Sequence, residues 1–450
     1  MMRVPWRPGA PFLVFLALWL IYGATITKYN LYDFTLQQAV IESIVERGTF
    51  EVGASEVPML KAAGDKFMYN GRWLPAKQPG QFAFGAPVYL VCRLLGITYA
   101  SHYLLAGAIV TWLTASLMSA VSSAFLVWLL RDVWGFCTVT ALFATLCHAL
   151  GTNLLPYSGI AHHDVIALSF LLISFCLLEY GIRKEMCQRW STGCVAGLLL
   201  GLTLFTSMLP AVIVATLFVY VALTASRRFA LWTAAGTALG LLPLALYNWH
   251  YFGNPLVQAN IAGRYTETFF SPEPQRFLDH LNVYLGTGDL SVVMYMPIVI
   301  LGLAGQWLLG TGLRSERWLL VAIVALHLLY ILNIPFVGAC QYGPRLMLPA
   351  LPFAAMGLPG LLAWTRRRRH AVAIAFLVYI VAVYSFLVNA VGSLVGTMFC
   401  ETYRFAFLVY LRMPLGRDMD SYPLALTCLA LCALLCGRPA ARALVAGQGS

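Results

Sequence analysis

A few residues in this chain have the types and spacing to do chemistry, and each has a plain structural use as well. Asp33 lies about seven residues beyond the first apolar run, in the stretch TKYNLYDFTLQQAVIESIVERGTF (27 to 50). A carboxylate there serves either as the cap of the helix that follows or as a general base facing a substrate at a membrane surface. Residues 156 to 164 read PYSGIAHHD and set His162, His163 and Asp164 in a row. Imidazole and carboxylate groups ligate metals, orient phosphates or relay protons. The same three suit a polar helix start, where the dipole favours Asp164. Successive helical residues point roughly 100° apart, so the three can face one divalent ion only across a break in the helix. Arg345 sits in GACQYGPRLML (338 to 348), just after Gly-Pro. Its planar fork suits phosphate; its plain use is as a snorkelling anchor. Lys77 and Arg72 belong to YNGRWLPAKQPGQFAF (69 to 84), a cationic segment punctuated by Pro and Gly.

The elements that must hold these residues are membrane helices. Sixty per cent of the 450 residues are hydrophobic, 10% are charged, and mean hydropathy is +0.77. A soluble chain carries about 25% charged residues. Apolar runs near span length recur throughout, which predicts an all-α polytopic membrane protein. The net charge of +11 follows from loop asymmetry. If the short basic clusters between runs, such as Arg366 to Arg369, are all cytoplasmic, that side holds 16 of the 29 Lys and Arg against four of the 18 acids.

This assignment predicts about twelve helices with both termini inside, at 9–26, 103–130, 135–153, 162–181, 192–208, 210–225, 229–247, 288–308, 318–334, 346–363, 371–390 and 421–436. The long apolar run 192–225 is split at Ser207-Met208-Leu209-Pro210, because Pro starts a helix but does not continue one. The basic N-terminal start is read as an uncleaved first span. The whole of 1–450 is expected to be one transmembrane domain with no soluble C-terminal domain. Large outer loops run from 27 to 102 and from 248 to 287. In the first, 34–47 is an amphipathic helix ending at Gly48, with Phe34, Val40, Ile41, Ile44 and Val45 on one face and Gln37, Gln38, Glu42, Glu46 and Arg47 on a wet one. Asn70-Gly71 marks a hairpin turn. Residues 82–96, short and interrupted by Gly85, Pro87 and Arg93, predict a helix at the outer interface. Cys340 and Cys400 both fall in outer loops and are candidates to pair in an oxidising compartment.

The order of these pieces resembles the GT-C superfamily of integral membrane glycosyltransferases, particularly the bacterial branch near protein mannosyltransferases and the aminoarabinose transferase of lipid A. Asp33 matches the family's acid near the start of the first outer loop, in YDF where many members read Asp-Glu. NGRWLPAKQPGQFAFGAPVY (70 to 89) is similar to the family's juxtamembrane Lys-Pro-Pro segment, with Gln78 in place of the first proline. HYFGNPL (250 to 256) and QYGPRLMLPALPF (341 to 353) resemble segments of bacterial members. The resemblance implies a sugar carried on a polyprenyl phosphate, transferred at the outer face of the cytoplasmic membrane to a lipid, glycan or protein acceptor. Lys77 and Arg345 then hold the donor phosphate as it leaves. Asp33 is the general base of an inverting transfer. Tyr69, Trp73 and Tyr342 stack on a sugar or the lipid chain, or form an interfacial belt. His162 and His163 contact substrate, and His163 with Asp164 holds a divalent metal ion if one is used.

No nucleotide-binding fingerprint and no nucleic-acid partner is read in the sequence, which fits a lipid-linked donor. The alternative is a transporter or flippase of cell-envelope lipids, since twelve spans with both ends inside also suit one. Against it, the halves show no clear repeat, and ionisable residues within the spans are few.

Overall fold

The computed structural model describes residues 9–184, 190–263, 270–288, 290–338, 340–399, 405–412 and 435–446. Among the described residues, six helices are long and apolar enough to cross a membrane: Tyr103–Val133, His163–Arg183, Arg227–Phe252, Thr311–Leu332, Arg345–Arg366 and Ala371–Val395. Five shorter apolar helices, Gly9–Ala24, Thr138–Leu150, Trp190–Thr206, Ala211–Thr224 and Pro297–Gln306, lie where the sequence also places spans. Most of the expected span 421–436 lies outside the described residues. The break anticipated at Ser207–Pro210 is present, with one helix ending at Thr206 and the next starting at Ala211.

Without a hydrophobic force between helices in lipid, close backbone approach does the packing, and small residues permit it. Helices Trp190–Thr206 and Arg227–Phe252 show this. A Cβ on Gly197 would lie 2.0 Å from the Thr233 carbonyl oxygen, and one on Gly236 would lie 2.1 Å from that of Cys194. The Thr237 hydroxyl donates across the seam to the Gly197 carbonyl at 3.0 Å. This seam ends at Thr206, beside the break.

The first outer loop is folded. The helix Lys28–Asp33 starts at Thr27, whose hydroxyl accepts from the Asn30 N–H. The helix Thr35–Arg47 ends at Gly48, with φ +69. Strands Lys66–Tyr69 and Arg72–Pro75 form an antiparallel hairpin. Its turn residues Asn70 and Gly71 have φ of +48 and +79, the left-handed pair that a two-residue turn requires. The helix Gly80–Leu94 follows, packed on Thr35–Arg47, and leaves Leu90, Val91, Leu94 and Leu95 exposed along one side.

Two expectations for this loop fail. Asp33 is not a cap: it is the last residue of its own helix, and Phe34 precedes the next helix without a side-chain cap. Nor is the face of Gln37, Gln38 and Glu42 wet. All three are buried, because folded chain replaces water on this face, from Ser55 over Glu42 to Leu31 and Gly107 beside Gln38. Gln38 donates to the Leu31 carbonyl at 2.8 Å, and Glu42 accepts from the Ser55 hydroxyl at 2.8 Å.

The second outer region docks on the first. The Tyr251 hydroxyl bonds the Phe50 N–H and the Thr49 hydroxyl, both at 3.1 Å. Asn248 donates to the Pro255 carbonyl at 3.0 Å, fastening the loop that carries HYFGNPL. That segment is a clamp between outer loops. Cys340 is disulfide-bonded, and Cys400 lies outside the described residues.

Candidate functional site

Three separate parts of the chain meet above the membrane helices. The first outer loop supplies Asp33 and Lys77. Lys77 follows the hairpin by two residues, so the hairpin register fixes where its side chain starts. The junction before helix His163–Arg183 supplies His162, His163 and Asp164. The stretch before Arg345–Arg366 supplies Gln341 and Arg345.

Arg345 is placed by a rigid turn. Gly343 has φ +66, and a Cβ there would meet the Asn153 amide at 2.5 Å and the Tyr295 ring at 2.8 Å. Only glycine fits. The Tyr342 carbonyl accepts from both Asn153 and Tyr157, at 3.1 and 3.0 Å, while the Tyr342 hydroxyl donates to the Val388 carbonyl at 2.6 Å. Tyr342 is thus fully buried and committed at both ends, and its ring is not offered to a sugar. It anchors the turn that aims Arg345.

Arg345 Nη1 donates to His162 Nε2 at 3.1 Å. The other ring nitrogen, Nδ1, is 3.2 Å from the Asp164 N–H. A neutral imidazole has one lone pair and one N–H, so it cannot accept from both donors at once. Arg345 therefore shares a partner, and its Nε has none. His163 stacks on His162 with ring centroids 4.4 Å apart. Its Nε2 is 3.3 Å from Asp164 Oδ1, which also accepts from the Ser207 hydroxyl at 2.8 Å. This contact fixes the proton on Nε2 and leaves the buried His163 Nδ1 as a lone pair without a partner.

Two cavities open here. The outer, about 220 Å³, is lined by Asp33, Asp65, Thr35, Gln37, Gln341 and His162 among others. The inner, about 80 Å³, runs past Asp164 and Ser207 to Met208, Leu209, Ile334 and Phe336, an apolar wall at the helix break. Lys77, His163 and Arg345 line both. The inner cavity thus ends at an apolar wall, the outer one carries the carboxylates of Asp33 and Asp65, and two cations stand between them. Asp33 is exposed at the rim and makes no hydrogen bond or ion pair among the described residues. Desolvation by its neighbours pushes its carboxyl above the ordinary range.

The ligand atoms of His162, His163 and Asp164 lie within 4.8 Å of one another, near enough to share an ion. Their hydrogen bonds leave only His163 Nδ1 and Asp164 Oδ2 free for one. Asp164 Oδ1 is occupied by Ser207 and His163, and His162 Nε2 faces a guanidinium. A dication would also share its walls with Lys77, and like charges repel. Of the three residues' ring nitrogens, only His163 Nδ1 keeps a spare lone pair. The arrangement suits an anion beside the cations, with the His–Asp–Ser chain holding the rings in place.

The remaining candidates lie elsewhere. Tyr69 packs edge-on against Phe252, with centroids 5.4 Å apart. Trp73 is on the outer face of the hairpin, 41% exposed, with the Lys66 ammonium 5.5 Å over its ring. Neither lines either of these two cavities. Both brace the hairpin that carries Lys77. The residue the sequence reading missed is Asp65, whose Oδ2 is 3.3 Å from Lys77 Nζ. The turn at Asn70-Gly71 contained the signal: counting outward pairs 66 with 75 and brings 65 beside 76 and 77.

No family model and no curated protein sequence matches the chain. Solved structures do. The apo oligosaccharyltransferase of Archaeoglobus fulgidus superposes with TM-score 0.55 at 13% identity, over 93% of this chain and 60% of that one. AglB, an archaeal oligosaccharyltransferase from the same organism in complex with an inhibitory peptide and a dolichol-phosphate, gives 0.54 at 13% identity, with the same coverage. ArnT from Cupriavidus metallidurans in the apo state gives 0.50 at 12% identity, over 97% of this chain and 77% of that one. This chain thus spans 60% of the length of the archaeal enzymes it matches. AglB and ArnT are GT-C superfamily membrane glycosyltransferases. The chain has the GT-C fold, and it is a multi-pass membrane protein.

Proposed function

We propose that this GT-C-fold protein is a glycosyltransferase that moves a sugar from a polyprenyl-phosphate donor to an acceptor hydroxyl at the outer face of the cytoplasmic membrane. The observation that carries the reading is the pair Lys77 and Arg345, brought from distant parts of the chain to the junction of two cavities, one ending at an apolar wall and the other lined by Asp33 and Asp65. The donor phosphate sits at that junction with its lipid leaving past Met208, Leu209 and Phe336. Its sugar projects into the outer cavity. When the anomeric C–O bond breaks, charge accumulates on the phosphate, where two fixed cations meet it. Arg345 is ready for this: its Nε is unpartnered and its hold on His162 is shared.

Asp33 takes the proton of the acceptor hydroxyl as that oxygen attacks from the opposite face, which inverts the anomeric centre. Its raised pKa keeps it basic enough to accept the proton. The working unit is the single transmembrane core with the loops 27–102 and 248–287 above it. A transporter or flippase is the second reading. The site argues against it, because these ionisable groups gather at one end of the helices.

Every donor of this class leaves the same product, so the first test needs no knowledge of the sugar. Undecaprenyl phosphate is titrated onto the purified protein in detergent and read by native mass spectrometry. Wild type binds; Lys77→Ala and Arg345→Ala each weaken binding by roughly tenfold or more, as expected for charge-assisted contacts; Asp33→Asn binds as wild type does. Absent binding, or binding indifferent to both cations, removes the reading and favours the transporter.

A further inference from the structure

The two cations of the site are not equivalent. Arg345 makes no salt bridge among the described residues, with Asp164 acting on it only at longer range, whereas Lys77 makes one with Asp65, at 3.3 Å. Asp65 lines the outer cavity only; Lys77 lines both. The pair therefore holds the ammonium toward the outer cavity, away from the apolar wall. We propose that Asp65 is a latch on Lys77, which a lipid phosphate must release in order to bind. This rests on the functional reading above.

The carboxylate is placed by backbone. Asp65 has φ +51, a left-handed conformation that most side chains avoid and Asp, Asn and Gly tolerate. The Ala76 N–H donates to the Asp65 carbonyl at 2.8 Å, closing the base of the hairpin one residue from Lys77. The two side chains thus meet because the strands pair. The latch is also easy to open. Asp65's side chain is 63% exposed, and exposed ion pairs are weak. A phosphate held by Arg345 as well as Lys77 offers more charge and more acceptor oxygens than one carboxylate. Exchange of Lys77 from Asp65 to phosphate then follows from relative strength, and Asp65 lowers donor affinity in proportion to what it holds back. Asp65 is a positioning residue, acting on the donor only through Lys77.

The test uses the full chain and undecaprenyl phosphate. Asp65→Asn and Asp65→Gly both suit a positive φ, so both keep the hairpin while removing the charge. Each is expected to bind the lipid roughly two- to fivefold more tightly than wild type, the range for an exposed pair. The gain shrinks at high salt. In a Lys77→Ala background, neither substitution changes affinity. A merely structural role for Asp65 could only weaken binding. If Asp65→Asn and Asp65→Gly leave affinity unchanged or lower it while Lys77→Ala weakens it, the latch is wrong and the donor site stands. If wild type does not bind the lipid, the glycosyltransferase reading fails and takes the latch with it.

Discussion

Helix His163–Arg183 carries an arginine-centred cluster at each end, and the two are built in opposite ways. At its C-terminal end Arg183 lies between Glu179 and Glu316, both buried. Glu179 also accepts from the Trp134 indole at 3.0 Å and the Tyr220 hydroxyl at 2.7 Å, and Arg183 donates to the Gly312 carbonyl at 2.9 Å. Charge is surrounded by charge, and even Arg183 Nε, which makes no hydrogen bond, lies 3.4 Å from Glu179 Oε2. At the N-terminal end Arg345 shares an imidazole with a backbone N–H, Lys77 leans on an exposed carboxylate, and Asp33, His163 Nδ1 and Arg345 Nε have no hydrogen-bond partner among the described residues. Both ends use Arg, acid and aromatic residues. The closed cluster spends its polarity on itself and holds helices together; the open one keeps its polarity for something that is not protein. Unmet hydrogen-bonding capacity that borders a cavity, more than the presence of charged residues, separates a site from a staple.

Substitutions at the two ends sharpen this contrast. The largest effect belongs to Asp33→Asn. Turnover, measured as polyprenyl phosphate released from a panel of polyprenyl-phosphate sugars, should drop by about 10² to 10⁴, the usual span for a general base. Stability should not change. The wild-type rate should also fall as pH drops through the Asp33 pKa, since the base must be ionised. That acid limb should lie above the ordinary aspartate range, because desolvation raises the group. A limb unchanged in Asp33→Asn would assign it to another residue.

Next comes Arg183→Leu, which strands two buried carboxylates. It should cost about 3–5 kcal/mol of stability, seen as a large fall in unfolding temperature in detergent. Arg345→Ala, in the open cluster, should leave the unfolding temperature nearly unchanged while weakening the lipid. Equal destabilisation by the two would end the distinction between staple and site. The smallest effect is Trp73→Ala, which should leave undecaprenyl phosphate affinity unchanged within a factor of about two, since its exposed ring lines neither cavity. A tenfold loss would return Trp73 to the substrate.

Local patterns were readable where one physical rule decided the outcome. Asn70-Gly71 dictated a two-residue turn, and Pro210 dictated the helix break, because backbone sterics act on neighbours in sequence. Errors came where a distant segment changed the surroundings. Gln37, Gln38 and Glu42 form a polar stripe by period, yet folded chain buries all three, with Ser55 donating to Glu42 and Gln38 donating to the Leu31 carbonyl. Tyr342 has the chemistry to stack on a sugar, yet Asn153, Tyr157 and Val388 hold it in the core.

Composition, apolar run length and charge asymmetry by themselves determined that this is a helical membrane protein with a structured outer loop. Those properties follow from transfer free energies and short-range backbone geometry, which depend on residue type and near neighbours. Tertiary structure alone decided that Lys77 and Arg345 share one junction, that Asp65 holds one and His162 contacts the other, and that Asp33 stands free at the rim. Which polar groups end without partners depends on how every other group is paired, and pairing is a property of the packed whole.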